Sequence, residues 1–333
     1  MPAFGSLATL KGRVLNGDPK AQRVAVLIYV PEAGWWSKPT CASPLTAFGS
    51  DGSWAANINT GSGDKFATRI TALLVGTNYA EPCVEGAAAI PPAVLAQARA
   101  SVTVRRTDPA APWLDFSGYE WVGKSADAPA GPGPNYFSVS TNNVWLDAAG
   151  RLHLRITHRD NRWQCAEVLS FRSFGYGSYR FYVDSVMNDL DANVVLGLFT
   201  WSNDPAYAHR EIDFEFARWD NAADSNNAQF VVQPFDTAGH LVRYRVPAGL
   251  APITCLFKWE TNRVSFQSLR GHTPLANATN LISQWVFSKP GVPVPGDEKV
   301  HLNLWLGGGR PPRNGQEAEV ILSRFEFVPL APP

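Results

Sequence analysis

The stretch His209-Arg210-Glu211-Ile212-Asp213-Phe214-Glu215-Phe216 reads as a strand by its alternation of polar and apolar residues. Strand side chains point to opposite faces with period two, so Glu211, Asp213 and Glu215 share one face and Ile212, Phe214 and Phe216 the other. His209 falls on the carboxylate face if the strand already runs there. The run from His301 to Leu306 repeats this logic, with His301, Asn303 and Trp305 opposite three leucines. Residues 194–201 are nearly all apolar, as in a central strand, and Gly197 there permits close approach of another group.

Strand signals recur along the whole chain, and helical periodicity is nearly absent. Before residue 107 they fall at 8–14, 23–30, 53–58, 68–75 and 101–106, separated by Gly, Pro and Asn turns, with a short helix or turn within 90–99 after Pro91-Pro92. From Trp113 they fall at 152–158, 179–183, 194–201, 211–216, 229–233, 241–246, 254–259, 263–269, 301–305 and 317–328. The expected fold is all-β in two parts. Residues 1–107 suit a small immunoglobulin-like or fibronectin-like sandwich. Residues 108–112, Asp-Pro-Ala-Ala-Pro, form a stiff linker because proline fixes φ and restrains its predecessor. Residues 113–333 make a two-sheet β-sandwich.

Composition narrows the function. Lys plus Arg and Asp plus Glu both number 29, so no basic field exists to hold nucleic acid or an anionic membrane. No stretch approaches the roughly 20 apolar residues of a membrane span. The first residues lack a charged-then-apolar signal. Aromatic residues are plentiful and charged ones sparse, which suits a β protein with aromatic platforms. The cysteines show no zinc spacing. Cys41 and Cys83 both fall in the first part and can form a disulfide, whereas Cys165 and Cys255 read as buried free thiols. The phosphate-loop, nucleophile-elbow and His-Glu-x-x-His patterns are absent. Asn188-Asp189-Leu190-Asp191 lacks the rest of a calcium loop and reads as a turn. Gly307-Gly308-Gly309 reads as a rim loop of a cleft. Gly34-Trp35-Trp36 is expected in a loop between strands, where one ring is free to stack on a sugar or both pack inward.

The carboxylate face carries the candidate chemistry. Like charges in a row raise at least one pKa, so one member holds a proton at neutral pH while another is ionised. Glu211 and Glu215 lie roughly 13 Å apart along an extended strand, and side chains leaning together bring the carboxyls to roughly 6 Å. Retaining glycosidases hold their two carboxyls about 5–5.5 Å apart.

Glu211-Ile212-Asp213-Phe214-Glu215 resembles the signature of glycoside hydrolase family 16 in its regular-strand form. Asn142-Asn143-Val144, Gly150 to Leu154, Cys165-Ala166-Glu167, Phe174 to Arg180, Phe257-Lys258-Trp259 and Leu302 to Trp305 follow the order seen in that family's licheninase-like members. The resemblance runs from near Trp113 to the end. It implies a concanavalin A-like jelly roll with a concave cleft, Glu211 as nucleophile, Asp213 as its helper and Glu215 as general acid/base. It further implies that Trp201, Glu167, His301, Asn303 and Trp305 line subsites, with Gln229 and Gln233 as further sugar ligands in the next strand; His209, read from its strand face alone, contacts a sugar, adjusts the charge of Glu211 or simply ends a loop. Phe137 stands where the family often has the partner of Cys165. Leu169 replaces an arginine that usually accompanies Glu167, leaving Arg172 as a substitute, and the 219–227 loop is longer than usual.

The resulting expectation is a monomeric, endo-acting, retaining β-glycanase that acts on β-1,3/1,4- or β-1,3-glucan. It needs no cofactor, and some relatives carry a structural calcium away from the cleft. Its partner is the polysaccharide, with neither nucleic acid nor membrane. Since such substrates lie outside cells, a secreted or periplasmic mature fragment is expected. The alternatives are a transglycosylase, or a lectin-like β-glucan-binding protein on the same scaffold.

Overall fold

The computed structural model describes residues 1–31, 33–80, 83–106 and 113–330. Two compact units result, Met1–Pro109 and Ala110–Pro333. The linker expected at 108–112 lies outside the described residues.

The first unit is built on Gln22–Val30, whose apolar run is continuous because both its faces are covered. Val24, Val26 and Ile28 enter one cluster with Leu10 and Phe48; Ala25 and Leu27 enter another with Trp35, Leu73 and Val94. Its principal sheet runs in the order Glu85–Ala87, Gly34–Lys38, Gln22–Val30, Arg69–Gly76, Ala100–Arg105, and the second layer is a ribbon of Leu10–Arg13 with Ser53–Ala56. The helix after Pro91 spans Pro92–Ala96. Gly34-Trp35-Trp36, expected in a loop, lies instead on the strand Gly34–Lys38. Alternation sends the two rings to opposite faces. Trp35 is buried, while Trp36 packs against the other cluster and donates its indole N–H to the Ala33 carbonyl at 2.9 Å. Both tryptophans therefore serve the core. Cys41 and Cys83 are joined in a disulfide.

The second unit is a jelly-roll sandwich. One layer runs Trp113–Phe116, Tyr119–Gly123, Arg162–Ser170, Lys299–Leu306, Val194–Trp201, Ile212–Phe216, Ala228–Val232, Leu241–Tyr244. The other runs Val144–Leu146, Leu152–Arg159, Ala318–Pro329, Gly177–Val183, Ile253–Glu260, Arg263–Arg270, Leu281–Phe287. The hairpin of Leu152–Arg159 with Arg162–Ser170 joins them. Its turn, Asp160-Asn161, has positive φ at both residues, the backbone that a tight hairpin demands.

Period-two alternation decides what each face becomes. Ile212, Phe214 and Phe216 are at most 1% exposed, as are Leu302, Leu304 and Leu306. Phe214 meets Phe230 edge-on at 5.1 Å and Phe266 at 5.6 Å. Burying each such ring contributes roughly 1.5–3 kcal/mol, which anchors the carboxylate strand from behind. Cys165 and Cys255 are buried free thiols, and Phe137 lies beside Cys165 in the strand ladder. Around Asn188 to Asp191 the chain turns: Asn188 accepts from Arg218, and the Asp191 carboxylate accepts N–H groups of Asn193, Arg313 and Asn314.

Candidate active site

The ladder of the inner layer sets Glu167 opposite Asn303, Asn303 opposite Gly197, Gly197 opposite Glu215, Glu215 opposite Gln229 and Gln229 opposite Arg243. All six lie on the face away from the core. Together they make a polar row across the sheet with one gap, at Gly197, where a side chain would collide with Asn303 Oδ1. The gap opens the floor of a cleft of about 260 Å³, lined among others by Glu167, Gly197, Trp201, Glu211, Asp213, Glu215, His301, Asn303 and Trp305.

Each carboxyl is fixed by a different neighbour. Gln229 Nε2 donates to Glu215 Oε2 at 2.6 Å. The amide is locked in that orientation because its oxygen accepts from Trp219 Nε1 and Arg243 Nη1, each at 3.0 Å. Gln233 Nε2 donates to Asp213 Oδ2 at 3.1 Å. Asp213 is hydrogen-bonded to Glu211. Further along the row, Glu167 is 2% exposed and accepts from Lys124 Nζ at 2.9 Å and from His301 Nδ1–H at 2.8 Å. The His301 ring stacks on Phe199 at 5.0 Å. Asn303 Oδ1 is buried and finds no hydrogen-bond partner among the described residues, an acceptor left for whatever enters the cleft.

Burial governs the charges. It pushes Glu211 up to about 8, with the Glu215 charge adding to the effect, and Glu215 up to about 7 against the opposing pull of Gln229 and Arg243. Asp213 is raised well above the carboxylate range by burial, then by Glu211 and Glu215. Three buried carboxyls this close do not all ionise at neutral pH. Their hydrogen bond raises Asp213 and lowers Glu211, so of the two Glu211 ionises first and Asp213 keeps its proton to donate toward the Glu211 carboxylate once that forms. Glu167 behaves oppositely. Burial raises it, but His301 and Lys124 outweigh burial and hold it below its usual value.

The backbone that delivers Glu211 is unusual. Tyr207, Ala208, His209 and Arg210 have φ of 55°, 49°, 64° and 52°, a left-handed turn of four non-glycine residues. Such backbone costs roughly 1–2 kcal/mol per residue. Arg210 offsets it: the buried guanidinium donates to Asp204 at 2.8 Å and to the Val294 carbonyl at 2.9 Å. Thr200, fully buried, donates its hydroxyl to the Arg210 carbonyl at 2.7 Å and accepts from the Ile212 N–H at 3.2 Å. One hydroxyl thus bridges the residues on either side of Glu211.

The strand begins at Ile212, not at His209. His209 therefore does not extend the carboxylate row, because the left-handed turn breaks the alternation before it reaches that residue. Its ring stacks on Trp201 at 4.1 Å and its Nδ1–H donates to the Ser202 carbonyl at 2.9 Å, so it backs the cleft wall. Gln229, on the next strand, and Gln233, just past its end, lie beside Glu215 and Asp213, and each donates to the neighbouring carboxyl. The partner of Glu167 is Lys124, from across the sheet. Arg172 instead lies over the Phe174 ring at 4.4 Å. Lys124 and Phe199 line the cleft without having stood out in the sequence. Only the pairing of Arg162–Ser170 with its neighbours brings Lys124 in. Among the described residues, the one group of acidic, His or Cys side chains whose ligand atoms all lie within 4.8 Å of one another is Cys41, Cys83 and Glu85, which includes the disulfide, and no calcium ligands are assigned.

No family model matches the chain. Among curated proteins it is similar to the β-glucanase of Paenibacillus macerans, 28% identical over 175 residues covering 50% of this chain and 64% of that protein. It is likewise similar to the β-glucanase of Bacillus subtilis (strain 168), 28% identical over 174 residues covering 50% of this chain and 63% of that protein. The chain thus spans somewhat less than two thirds of the length of these relatives. Among solved structures, a Bacillus licheniformis β-glucanase aligns with 66% of this chain and 99% of its own at 19% identity and a TM-score of 0.48.

Two outcomes follow from the geometry. Glu211 has its folded pKa raised above its ordinary value, so its contribution to stability is complete below about pH 4.5 and is lost as pH rises through about 8. Thermal melts of Glu211→Gln are expected to exceed the wild type by at least about 3 °C at pH 9 and to match it near pH 4; an equal offset at both pH values contradicts the burial argument. Thr200→Val removes the hydroxyl that the buried Arg210 carbonyl accepts from, at a cost of about 1–3 kcal/mol in denaturant unfolding, and Thr200→Ser recovers most of it.

Proposed function

We propose that this chain, a member of glycoside hydrolase family 16, is an endo-acting, retaining β-glucanase. The observation that carries the reading is the arrangement of the carboxylate strand. Glu211 and Glu215 open onto one cleft with Asp213 buried between them, each held by a separate hydrogen bond, while Gly197 leaves room on the floor for the Asn303 amide to lie between them and Glu167. The kinship with β-glucanases supports glucan as the substrate class.

In this reading Glu215, protonated, gives its proton to the leaving glycosidic oxygen. Glu211, ionised in the singly protonated form of the pair, attacks the anomeric carbon, forming a glycosyl ester as the C–O bond to the leaving group breaks. Asp213 donates to the Glu211 carboxylate and steadies the charge that returns when the ester is cleaved. Water then enters, loses its proton to Glu215 and displaces Glu211, so the anomeric configuration is retained. The Gln229 amide, whose orientation is locked by Trp219 and Arg243, keeps Glu215 aimed through both steps. His301 and Asn303 face the same space from the neighbouring strand, and the stacked Trp201 and His209 form the wall at the Glu211 end. The substrate is a β-1,3/1,4- or β-1,3-glucan, and a secreted setting suits it.

Incubation of wild type and Glu211→Gln with lichenan, laminarin, xyloglucan, agarose and β-galactan tests the reading. New reducing ends from a glucan are expected with the wild type, at least about 10³-fold fewer with Glu211→Gln, and the β-anomer first in NMR of the product. Binding without new reducing ends in either protein contradicts it in favour of glucan recognition, and products longer than the substrate contradict hydrolysis in favour of transfer. The raised Glu211 and Glu215 predict a bell-shaped kcat/KM that is highest between about pH 7 and 8, where the pair of carboxyls shares one proton, and that falls at higher pH as the general acid loses it. A rate level to pH 9 removes Glu215 from that role.

A further inference from the structure

The loop after the carboxylate strand carries a large aromatic residue that the mechanism above uses only as a hydrogen-bond donor. Trp219 is 40% exposed, whereas Trp305 beside it is 9% exposed. It sits edge-on to Trp305, with centroids 6.0 Å apart and planes at 60°, and Trp305 lines the cleft. The ladder places Glu215 opposite Gly197 and Val195 opposite Trp305, so both tryptophans stand at the Glu215 end. Trp201 stands at the other end.

The loop is not slack. Trp219 has φ of 52° and its neighbour Asp220 has φ of 63°. Asp220 donates its backbone N–H to the Ala192 carbonyl at 2.8 Å and pairs with Arg310 at 3.0 Å, while its carbonyl accepts from Arg313 at 2.6 Å. Arg218, on the other side, donates to Asn188 and to the Leu190 carbonyl. The Trp219 indole N–H is spent on Gln229 at 3.0 Å. What the side chain has left to offer is its ring face, held still before any ligand arrives. A rigid, solvent-facing indole with its polar edge already satisfied fits the apolar face of a pyranose, and ordering it costs little on binding.

From these observations we infer that Trp219 is a further sugar-binding platform, one ring beyond Trp305, which takes a pyranose of the same glucan chain outside the reacting residue. The inference rests on reading the cleft as a glucan cleft. It makes the 219–227 loop a determinant of the chain length that the enzyme favours. Short oligosaccharides that end before this ring gain nothing from it, and longer ones do.

The test compares wild type, Trp219→Ala and Trp219→Phe on glucan oligosaccharides graded from the shortest one cleaved up to the polymer. Trp219→Ala is expected to raise KM for the long substrates on the order of tenfold more than for the shortest, the equivalent of about 1.4 kcal/mol. Trp219→Phe, which keeps a ring face but no indole N–H, should recover most of that difference. A penalty in Trp219→Ala that is the same at every length, or none, overturns the platform while wild-type turnover leaves the glucanase reading standing. If the wild type cleaves no glucan, hydrolysis is what falls, and the platform is then read from tryptophan-fluorescence titrations with the same oligosaccharides. Length-dependent affinity lost in Trp219→Ala and kept in Trp219→Phe sustains it; affinity unchanged in Trp219→Ala overturns it.

Discussion

Three carboxyl groups on alternate residues of one strand repel one another, and removing them from water makes the repulsion costlier still. Much of the second unit acts to hold that arrangement. From behind, Ile212, Phe214 and Phe216 press the strand into an aromatic core, so the carboxylates cannot turn away without exposing the rings. Across the sheet, Gln229 and Gln233 each donate to one carboxyl, and Asp213 keeps a proton that Glu211 shares. At the start of the strand a left-handed turn, clamped by Arg210 and bridged by Thr200, fixes where Glu211 enters the cleft. Strain and like charge are tolerated here because the surrounding packing over-determines the geometry.

The polar row across the sheet extends this principle to the rest of the cleft. At one end the buried Glu167 is held by an ion pair with the half-buried Lys124 and a hydrogen bond from His301, and Asn303 beside them carries an unpaired acceptor. At the other end Glu215, Gln229 and Arg243 connect to Asp224 through a guanidinium contact at 2.6 Å. Between them Gly197 supplies the space. The row is held at both ends and carries only the Asn303 amide over Gly197 in the middle, the layout a site needs when its ligand must arrive next to groups that do not move.

Much of this was legible in the sequence, because it depends on period two. The alternation at 212–216 and 301–306 names the core and cleft faces correctly, and the apolar run at 194–201 is the central strand between them. What stayed hidden depends on contacts far apart in the chain. Arg162–Ser170 mixes apolar and polar residues without a clean alternation, so the strand that carries Glu167 was not apparent, and neither was its pairing with Lys124. Polar residues at 209 and 211 suggested an earlier strand start, but positive φ at four successive non-glycine residues has no local sequence signal. Adjacent tryptophans at 35 and 36 left a free ring and inward packing both open, because sequence spacing does not reveal that both faces of that sheet are covered.

The central claim is that Glu211 is the group that bonds to sugar while Glu215 moves the proton. A 2-deoxy-2-fluoro glucan oligosaccharide with a good leaving group slows ester cleavage and traps the intermediate. Mass spectrometry of the digested adduct should then find the added sugar on the peptide that contains Glu211, and specifically on that side chain. A label on Glu215 instead, or wild-type turnover that inverts the anomeric centre with no adduct formed, would contradict the account.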